Sequence, residues 1–363
     1  MNMKKKITRK PFDRLNLSSA KRTLWIFGAG ASHSAPYNAP LQNELLDFAA
    51  KKSPGAETSK IMKLIKDMLP GASVDDVRLE ELFSAYELWA SHPRSGTAEV
   101  MKAKKAIRTL QRALAKAVTA HGPGSHAKWK PHQRNNQAAP YAELMERLFP
   151  ANAKKRDIRR HSLATMNYDI HLDRCVINMR LPAAGDVDVD YGIEFANYRI
   201  PGSFERPRSR AILLLRLHGS LNWLRCLACQ AVFTTVSRQA AVKERKRCGF
   251  CKTTSLDRVL VHPSYLRDYS DPLLRMIWGR MQEELLVSDR WVFVGYSLPD
   301  TDVHLRDMLR HAFRRKQPAV VWAGHRGDTW DAELDRYHAM FGDALRPWNA
   351  SGGGFADFVK RLY

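Results

Sequence analysis

Six short segments of this chain read as strands, and several of them are near-continuous apolar runs: residues 23–27, 161–167, 211–217, 258–262, 290–294 and 319–323. Each is shorter than an ordinary helix and closes on glycine, asparagine or histidine. Runs of this kind predict parallel strands that are covered on both faces. Between the later runs, residues 273–286 and 303–316 repeat their apolar positions at helical spacing. Strand and helix therefore alternate. The pattern predicts an α/β fold, a doubly wound (Rossmann-like) parallel sheet of about six strands.

The stretch after the first strand has a different period. Leu41, Leu45, Leu46 and Phe48 mark a helix start, and Leu79, Leu82, Phe83 and Tyr86 share one helical face. Ile107, Leu110, Leu114 and Val118 form a stripe, with Lys102, Lys105, Arg108, Arg112 and Lys116 on the opposite side. Residues 55–150 thus read as a helical insertion without strands. Residues 121–140, rich in His, Pro, Gly, Asn and Gln, read as a long loop. Residues 1–20 read as a basic, poorly ordered lead-in. Residues 21–363 read as one domain that includes the insertion and a small lobe at 222–256. Ser351-Gly352-Gly353-Gly354 predicts a flexible turn before a short last helix.

Composition narrows the class. A hydrophobic content of 44% supports a real core. No apolar stretch approaches the ~18 residues of a membrane span. Lys4-Lys5-Lys6 imitates the start of a signal peptide, but the apolar run at 24–27 is too short to complete one. The expectation is a soluble, cytoplasmic protein with no membrane partner. The net charge of +22 favours anionic ligands and polyanions. It is spread over clusters at 4–10, 102–116, 154–160, 206–216, 243–247 and 314–316. The basic face at 102–116 is either solvated surface or a docking face for a polyanion or partner.

Four of the five cysteines form two pairs, Cys226-x-x-Cys229 and Cys248-x-x-Cys251, with eighteen residues between the pairs. In a reducing compartment this spacing points to a Cys₄ zinc ribbon before disulfides. Four thiolates fill a tetrahedron, so the zinc would be structural, clamping a small two-stranded lobe. The fifth, Cys175, reads as a small apolar helix residue.

Other candidates sit where open α/β sheets place their ligands, just beyond strand ends. Gly28-Ala29-Gly30-Ala31-Ser32 has the form of a turn that brings backbone N–H groups to a pyrophosphate. A third glycine at the usual spacing is missing, because position 33 is His. Asn167 and Asp169 follow the second strand and His218 follows the third. A histidine there is a candidate general base. Gly295 and Ser297 close another strand and are placed for phosphates or ribose. Gly324 and His325 close the last, where an adenosine would lie. Each has a plain alternative: a structural turn, a turn-forming Asn or Asp, a strand-end histidine. Asp300 and Asp302 read as caps of the next helix rather than as cofactor contacts.

Taken in order, these residues resemble the sirtuin superfamily. Its GAGxS turn, Q-N-I-D strand end, H-G histidine, adjacent zinc ribbon and G-T-S turn look like Gly28–Ser32, Met166-Asn167-Tyr168-Asp169, His218-Gly219, the four cysteines and Gly295-Tyr296-Ser297. The likeness spans residues 23–324. Three departures favour one branch. Where deacylases have S-G-I-P-D-F-R, this chain has His33-Ser34-Ala35-Pro36-Tyr37-Asn38-Ala39-Pro40, without arginine. Where they clamp an acyl-lysine peptide with F-G-E-x-L-P, it has Val261-His262-Pro263-Ser264-Tyr265, and Met166 replaces their glutamine. Asn167-Tyr168-Asp169, Leu217-His218-Gly219-Ser220-Leu221-Asn222-Trp223, the segment from Gly295 to Asp302 and Glu80-Glu81-Leu82-Phe83-Ser84 instead resemble sirtuin-like effectors of bacterial anti-phage defence. Several of those hydrolyse NAD; many lack a ribbon.

The resemblance implies NAD as substrate, bound by Gly28, Ala29, Gly30, Ala31, Ser32, Gly295, Ser297 and Gly324. It implies Asn167, Asp169 and His218 as the catalytic set, releasing nicotinamide and ADP-ribose. It also implies a trigger, nucleic acid or protein, and a homo-oligomer or defence complex. Two alternatives stand beside it: an NAD-dependent protein deacylase or ADP-ribosyltransferase, and a nucleic-acid-binding component.

Overall fold

The structure, a computed structural model, describes residues 15–17, 21–34, 37–41, 44–47, 56–119, 140–151, 153–177, 180–181, 185–186, 188–196, 211–234, 247–324, 327–348 and 354–363. The strands are β1 (Thr23–Phe27), β2 (His161–Thr165), β3 (Arg180–Leu181), β4 (Gly185–Asp186), β5 (Asp188–Asp190), β6 (Ala211–Arg216), β7 (Gly219–Cys226), β8 (Val232–Thr234), β9 (Leu256–Leu260), β10 (Arg290–Val294), β11 (Ala319–Ala323) and β12 (Leu345–Pro347). The helices are α1 (Ala29–His33), α2 (Ala56–Met68), α3 (Leu79–Ser91), α4 (Thr97–Thr119), α5 (Pro140–Leu148), α6 (Lys155–Ile158), α7 (His171–Ile177), α8 (Pro272–Val287), α9 (Val303–Lys316), α10 (Trp330–Phe341) and α11 (Phe355–Lys360).

The main sheet has seven strands in the order β12-β11-β10-β1-β2-β6-β5, and every pairing is parallel. The first half of the chain builds outward from β1 through β2, and the second half builds the other way from β10. The order reverses between β1 and β10, which makes their C-terminal ends the switch point of a doubly wound sheet. β1 and β2 are buried at every position, as strands covered on both faces must be. Alternation along the strands separates the two layers. Trp25 and Phe27 meet Tyr141 of α5 and Phe355 and Phe358 of α11. On the other face Ser162 meets Glu284 of α8, and Trp291 meets Phe313 of α9 and Phe341 of α10.

Five of the six predicted strands enter this sheet. The sixth, around 258–262, does not: β9 pairs antiparallel with β7, giving a separate sheet in the order β8-β7-β9. The lobe is therefore three-stranded, not two-stranded. Its exchange with the main sheet is compensated by β5 and β12, three-residue edge strands too short to leave a periodic signal. Gly219 enables the switch from one sheet to the other. It sits at φ +71, and a Cβ there would lie 2.1 Å from the Val259 carbonyl oxygen.

Helices α2, α3 and α4 form a second core around Ile61, Ile65, Phe83, Tyr86, Leu110 and Leu114, joined by Leu221 and flanked by Tyr168 and Leu260. The predicted stripe of α4 faces this core, and Lys102, Lys105, Arg108 and Arg112 are exposed. Pro140–Leu148 packs in the core of the main sheet instead, through Tyr141, Leu144 and Met145. Near Leu41, residues 45–47 are helical with Leu45 and Leu46 buried; Phe48 lies outside the described residues. So do most of the expected loop at 121–140, His325, residues 351–353, the Lys116 side chain and the basic clusters at 4–10, 206–210 and 243–246. Within the expected lead-in, Leu15 is buried and bridges Leu362 at the other end of the chain. No helix among the described residues is long and apolar enough to cross a membrane.

Candidate active site at the ends of the central strands

The glycine turn follows β1 without a gap. Gly28 is the N-cap of α1, which is only five residues long. The Gly28 amide donates to the Val294 carbonyl at 3.0 Å and the Gly30 amide to the Gly295 carbonyl at 2.9 Å. A Cβ on Gly28 would lie 2.5 Å from Tyr296 Cα; one on Gly295, where φ is +59, would lie 2.1 Å from the Ala31 nitrogen. The glycines are thus required first by each other, because the two turns interlock at the switch point.

Asn167 locks this turn from the neighbouring strand. Its Nδ2 donates to the Gly28 carbonyl at 2.9 Å and to Ser32 Oγ at 3.0 Å, with Tyr141 OH at 3.4 Å. Tyr141 and Ser32 bond each other at 3.0 Å. Burial, with the Asp169 charge adding to it, pushes the Tyr141 phenol well above its usual range, so it stays a neutral hydrogen-bonding group. Among the described residues nothing hydrogen-bonds Asn167 Oδ1. Asp169 accepts the His171 amide at 3.0 Å through Oδ1 and so fixes the start of α7.

A buried arginine beneath these residues sets their positions. Arg216, the last residue of β6, has no exposed surface. It belongs to the basic cluster expected at 206–216, but it is core. It pairs with Asp173 and donates to the carbonyls of Asn167 at 2.9 Å and Asp169 at 2.5 Å, and its Nε donates to the Gly219 carbonyl at 3.3 Å. One guanidinium therefore ties the Asn167–Asp169 strand end to the turn that carries His218.

His218 is buried at the end of β6. Its ring stacks on Tyr168 at 6.0 Å. Arg267 Nη1 donates to His218 Nε2 at 3.2 Å, and Tyr269 OH lies 3.4 Å from the same atom. Nε2 therefore carries the lone pair and Nδ1 the proton, which faces the Met166 carbonyl. Burial, reinforced by the Arg267 charge, lowers the imidazole to about 4. His218 is a neutral base near pH 7.

Arg267 was not visible as a site residue in the sequence. It pairs with Asp302 and donates to Thr301 Oγ1 at 3.2 Å. Asp302 accepts Tyr296 OH at 2.5 Å. Asp302 stands at the N-cap of α9 but makes no side-chain cap bond; its carboxylate is turned inward, contrary to the capping expectation. Asp300 is exposed and pairs with Arg306 at 2.9 Å. The chain of contacts His218–Arg267–Asp302–Tyr296 thus connects the histidine to the Gly295 turn.

Not every predicted residue joins this cluster. The Ser297 carbonyl is held by Arg336 Nη2 of α10 at 2.9 Å. A Cβ on Gly324 would strike the Trp322 ring at 2.3 Å, so that glycine serves packing. Ala29 is exposed at the rim. An open cavity of about 370 Å³, lined by Arg22, His161, Ser162 and Arg280, lies at the N-terminal ends of β2 and β6 and is unrelated to this crevice.

The four predicted cysteines converge at the far end of β7. All four sulfurs lie within 4.8 Å of one another, with Cys226–Cys251 at 3.4 Å and Cys229–Cys248 at 3.6 Å. A tetrahedron with zinc–sulfur distances of 2.3 Å has edges of about 3.8 Å, so the cluster could hold such an ion. Burial raises the Cys248 thiol, but the Phe250 and Cys251 amides outweigh it and bring it to about 7. Cys175 is buried in α7 as expected.

Fold and site together define a doubly wound α/β protein whose switch point gathers a glycine turn, a buried asparagine and a buried histidine. No protein-family model and no curated protein matches the chain. Among solved structures, the chain is similar to a Sir2 homologue in complex with NAD, at 14% identity and a TM-score of 0.45, covering 95% of this chain and 91% of that one. It is also similar to a Sir2 homologue variant bound to ADP-ribose, at 13% identity and a TM-score of 0.43, covering 94% and 92%. Likenesses of this size bear on neither substrate nor reaction.

Proposed function

We propose that this protein is a sirtuin-like enzyme that hydrolyses NAD to nicotinamide and ADP-ribose as a regulated effector of anti-phage defence. The observation that carries the reading is the bond from Asn167 Nδ2 to the Gly28 carbonyl. It places a buried asparagine and the glycine turn together at the switch point, one strand from the neutral His218.

In this reading the glycine turn, Gly295 and Ser297 hold the dinucleotide, and Asn167 Oδ1 orients a ribose hydroxyl or the attacking water. The free Asp169 oxygen accepts the carboxamide N–H of nicotinamide. Water attacks the anomeric carbon as the bond to the nicotinamide nitrogen breaks. The proton passes to His218 Nε2, and nicotinamide leaves neutral without an acid. A positioned base of this kind contributes ~10²–10⁴-fold.

Cys226, Cys229, Cys248 and Cys251 would hold a structural zinc. With four thiolates no position is open to substrate, and the ion would stiffen β7, which begins next to His218. The exposed basic residues of α4 support a polyanion as trigger.

The test is nicotinamide release from NAD by the purified chain, with and without nucleic acid, comparing wild type with Asn167→Ala and His218→Ala. Turnover that both variants lose supports the reading. NAD left intact under every condition rejects it. Turnover that strictly requires an acyl-lysine peptide would assign the site to deacylation.

A further inference from the structure

His218 Nε2 is the atom that must take a proton in the proposed reaction, and it is already occupied. Arg267 Nη1 donates to it at 3.2 Å. A guanidinium cannot accept a proton in exchange, so the base is capped, not primed. In that reaction an arginine cation beside the base would also oppose the positive charge that develops as the glycosidic bond breaks. In this arrangement both effects act against turnover.

The cap is held from two sides. Asp302 and Thr301, at the start of α9, pair with the guanidinium. The segment that carries it, residues 261–271, has no helix or strand. Arg267 itself sits at φ +31, a left-handed conformation unusual for a side chain of its size. Its Nε is buried without a partner among the described residues. Neighbouring Tyr265 and Leu266 are half-exposed.

The helical insertion grips the same segment upstream. His262 stacks on Phe83 at 4.9 Å, donates to Glu87 at 2.6 Å and accepts from Gln111 at 2.7 Å. The Tyr265 amide donates to Ser84 Oγ at 2.8 Å. Val261 is in the main core, and Tyr269 stacks on His304 and packs against Trp278; between them, the stretch with the strained residue and the unsatisfied donor is tied to the insertion by these polar anchors.

Resting on the hydrolase reading above, we infer that Arg267 is an inhibitory latch on His218, held closed by Asp302 and by the helical insertion. Displacement of the insertion by a trigger pulls on His262 and Tyr265 and withdraws the guanidinium from Nε2. The insertion thereby couples trigger binding to the site.

The experiment compares wild type with Arg267→Met, the charge-balanced double variant Arg267→Met/Asp302→Asn, and Ser84→Ala, all as the full chain. The double variant guards against a folding defect, since it leaves no unpaired buried carboxylate, and melting temperature identifies folded protein. Basal nicotinamide release is expected to rise about tenfold or more in the folded arginine variants and less in Ser84→Ala, as the competent fraction grows. The second readout is the NMR titration of His218, whose midpoint is expected to move upward once the guanidinium is gone. Folded arginine variants that are no faster than wild type, while wild type itself turns over, would overturn the latch. If no variant ever releases nicotinamide, the hydrolase reading fails by itself. The titration then decides the contact: an upward shift sustains it, and an unchanged midpoint ends it.

Discussion

The guanidinium of Arg216 and the carboxylate of Asp173 form an ion pair in which neither side chain has any exposed surface. Tyr191 donates to the other Asp173 oxygen at 2.8 Å. Arg216→Met strands a charge in the core, which typically costs about 3–5 kcal/mol. Urea unfolding measures this. Arg216→Met/Asp173→Asn should recover most of the stability but not the activity, because the Asn167 and Asp169 carbonyls still lose their donor. A single variant within about 1 kcal/mol of wild type would show that the pair is not structural in this sense.

Two buried histidines predict how stability depends on pH. Burial lowers both His161 and His218 to about 4, with nearby arginine charges adding to the shift. The unfolded chain protonates these rings near 6.5, while the folded chain resists until about 4. The unfolded state therefore binds more protons across this window, and stability falls as pH drops through it. Each ring accounts for about 3 kcal/mol by pH 4. Unfolding free energies measured from pH 7.5 to 4.5 should decline steeply; a flat profile would contradict the burial of both rings.

The sulfur cluster predicts about one zinc per chain. Elemental analysis should find it in wild type and not in Cys248→Ser. Chelation should loosen β7, β8 and β9, seen as faster amide exchange there than in β1 or β10. Because His218 is joined to β7 through Gly219, NAD turnover should fall as well. A metal-free wild type with the lobe fully protected would rule out a structural ion.

The glycines separate into two groups by their surroundings. Gly295→Ala puts a methyl 2.1 Å from the Ala31 nitrogen and should cost about 2–3 kcal/mol or more. Gly279, in the middle of α8, has nothing within 4 Å of an added Cβ. Gly279→Ala should stabilise the protein by about 0.5–1 kcal/mol, through helix propensity and a restricted unfolded chain. Melting temperatures that move in the same direction for both would refute the interlocked-turn account.

Much of the sheet was legible because most of its buried parallel strands are apolar at nearly every position. Trp25 and Val292 need no partner to look buried. β5 and β12 were not, since three residues carry no period. β9 was misplaced because Val259 and Leu260 look the same in either sheet; pairing partner and direction are not written in a single segment. The cysteine spacing was explicit, because tetrahedral ligation by two short knuckles fixes it locally.

What the sequence determined by itself was the local chemistry: which runs bury, where the turns fall, and which strand ends carry Gly28, Asn167 and His218. Tertiary structure decided which charges are core and what faces the histidine. Arg216 and Arg267 look like any surface arginine in a chain of net charge +22. Each is buried only because a carboxylate distant in sequence, Asp173 or Asp302, meets it in the fold. The free energy of a buried charge depends on partners gathered by the whole chain, and no local pattern records it.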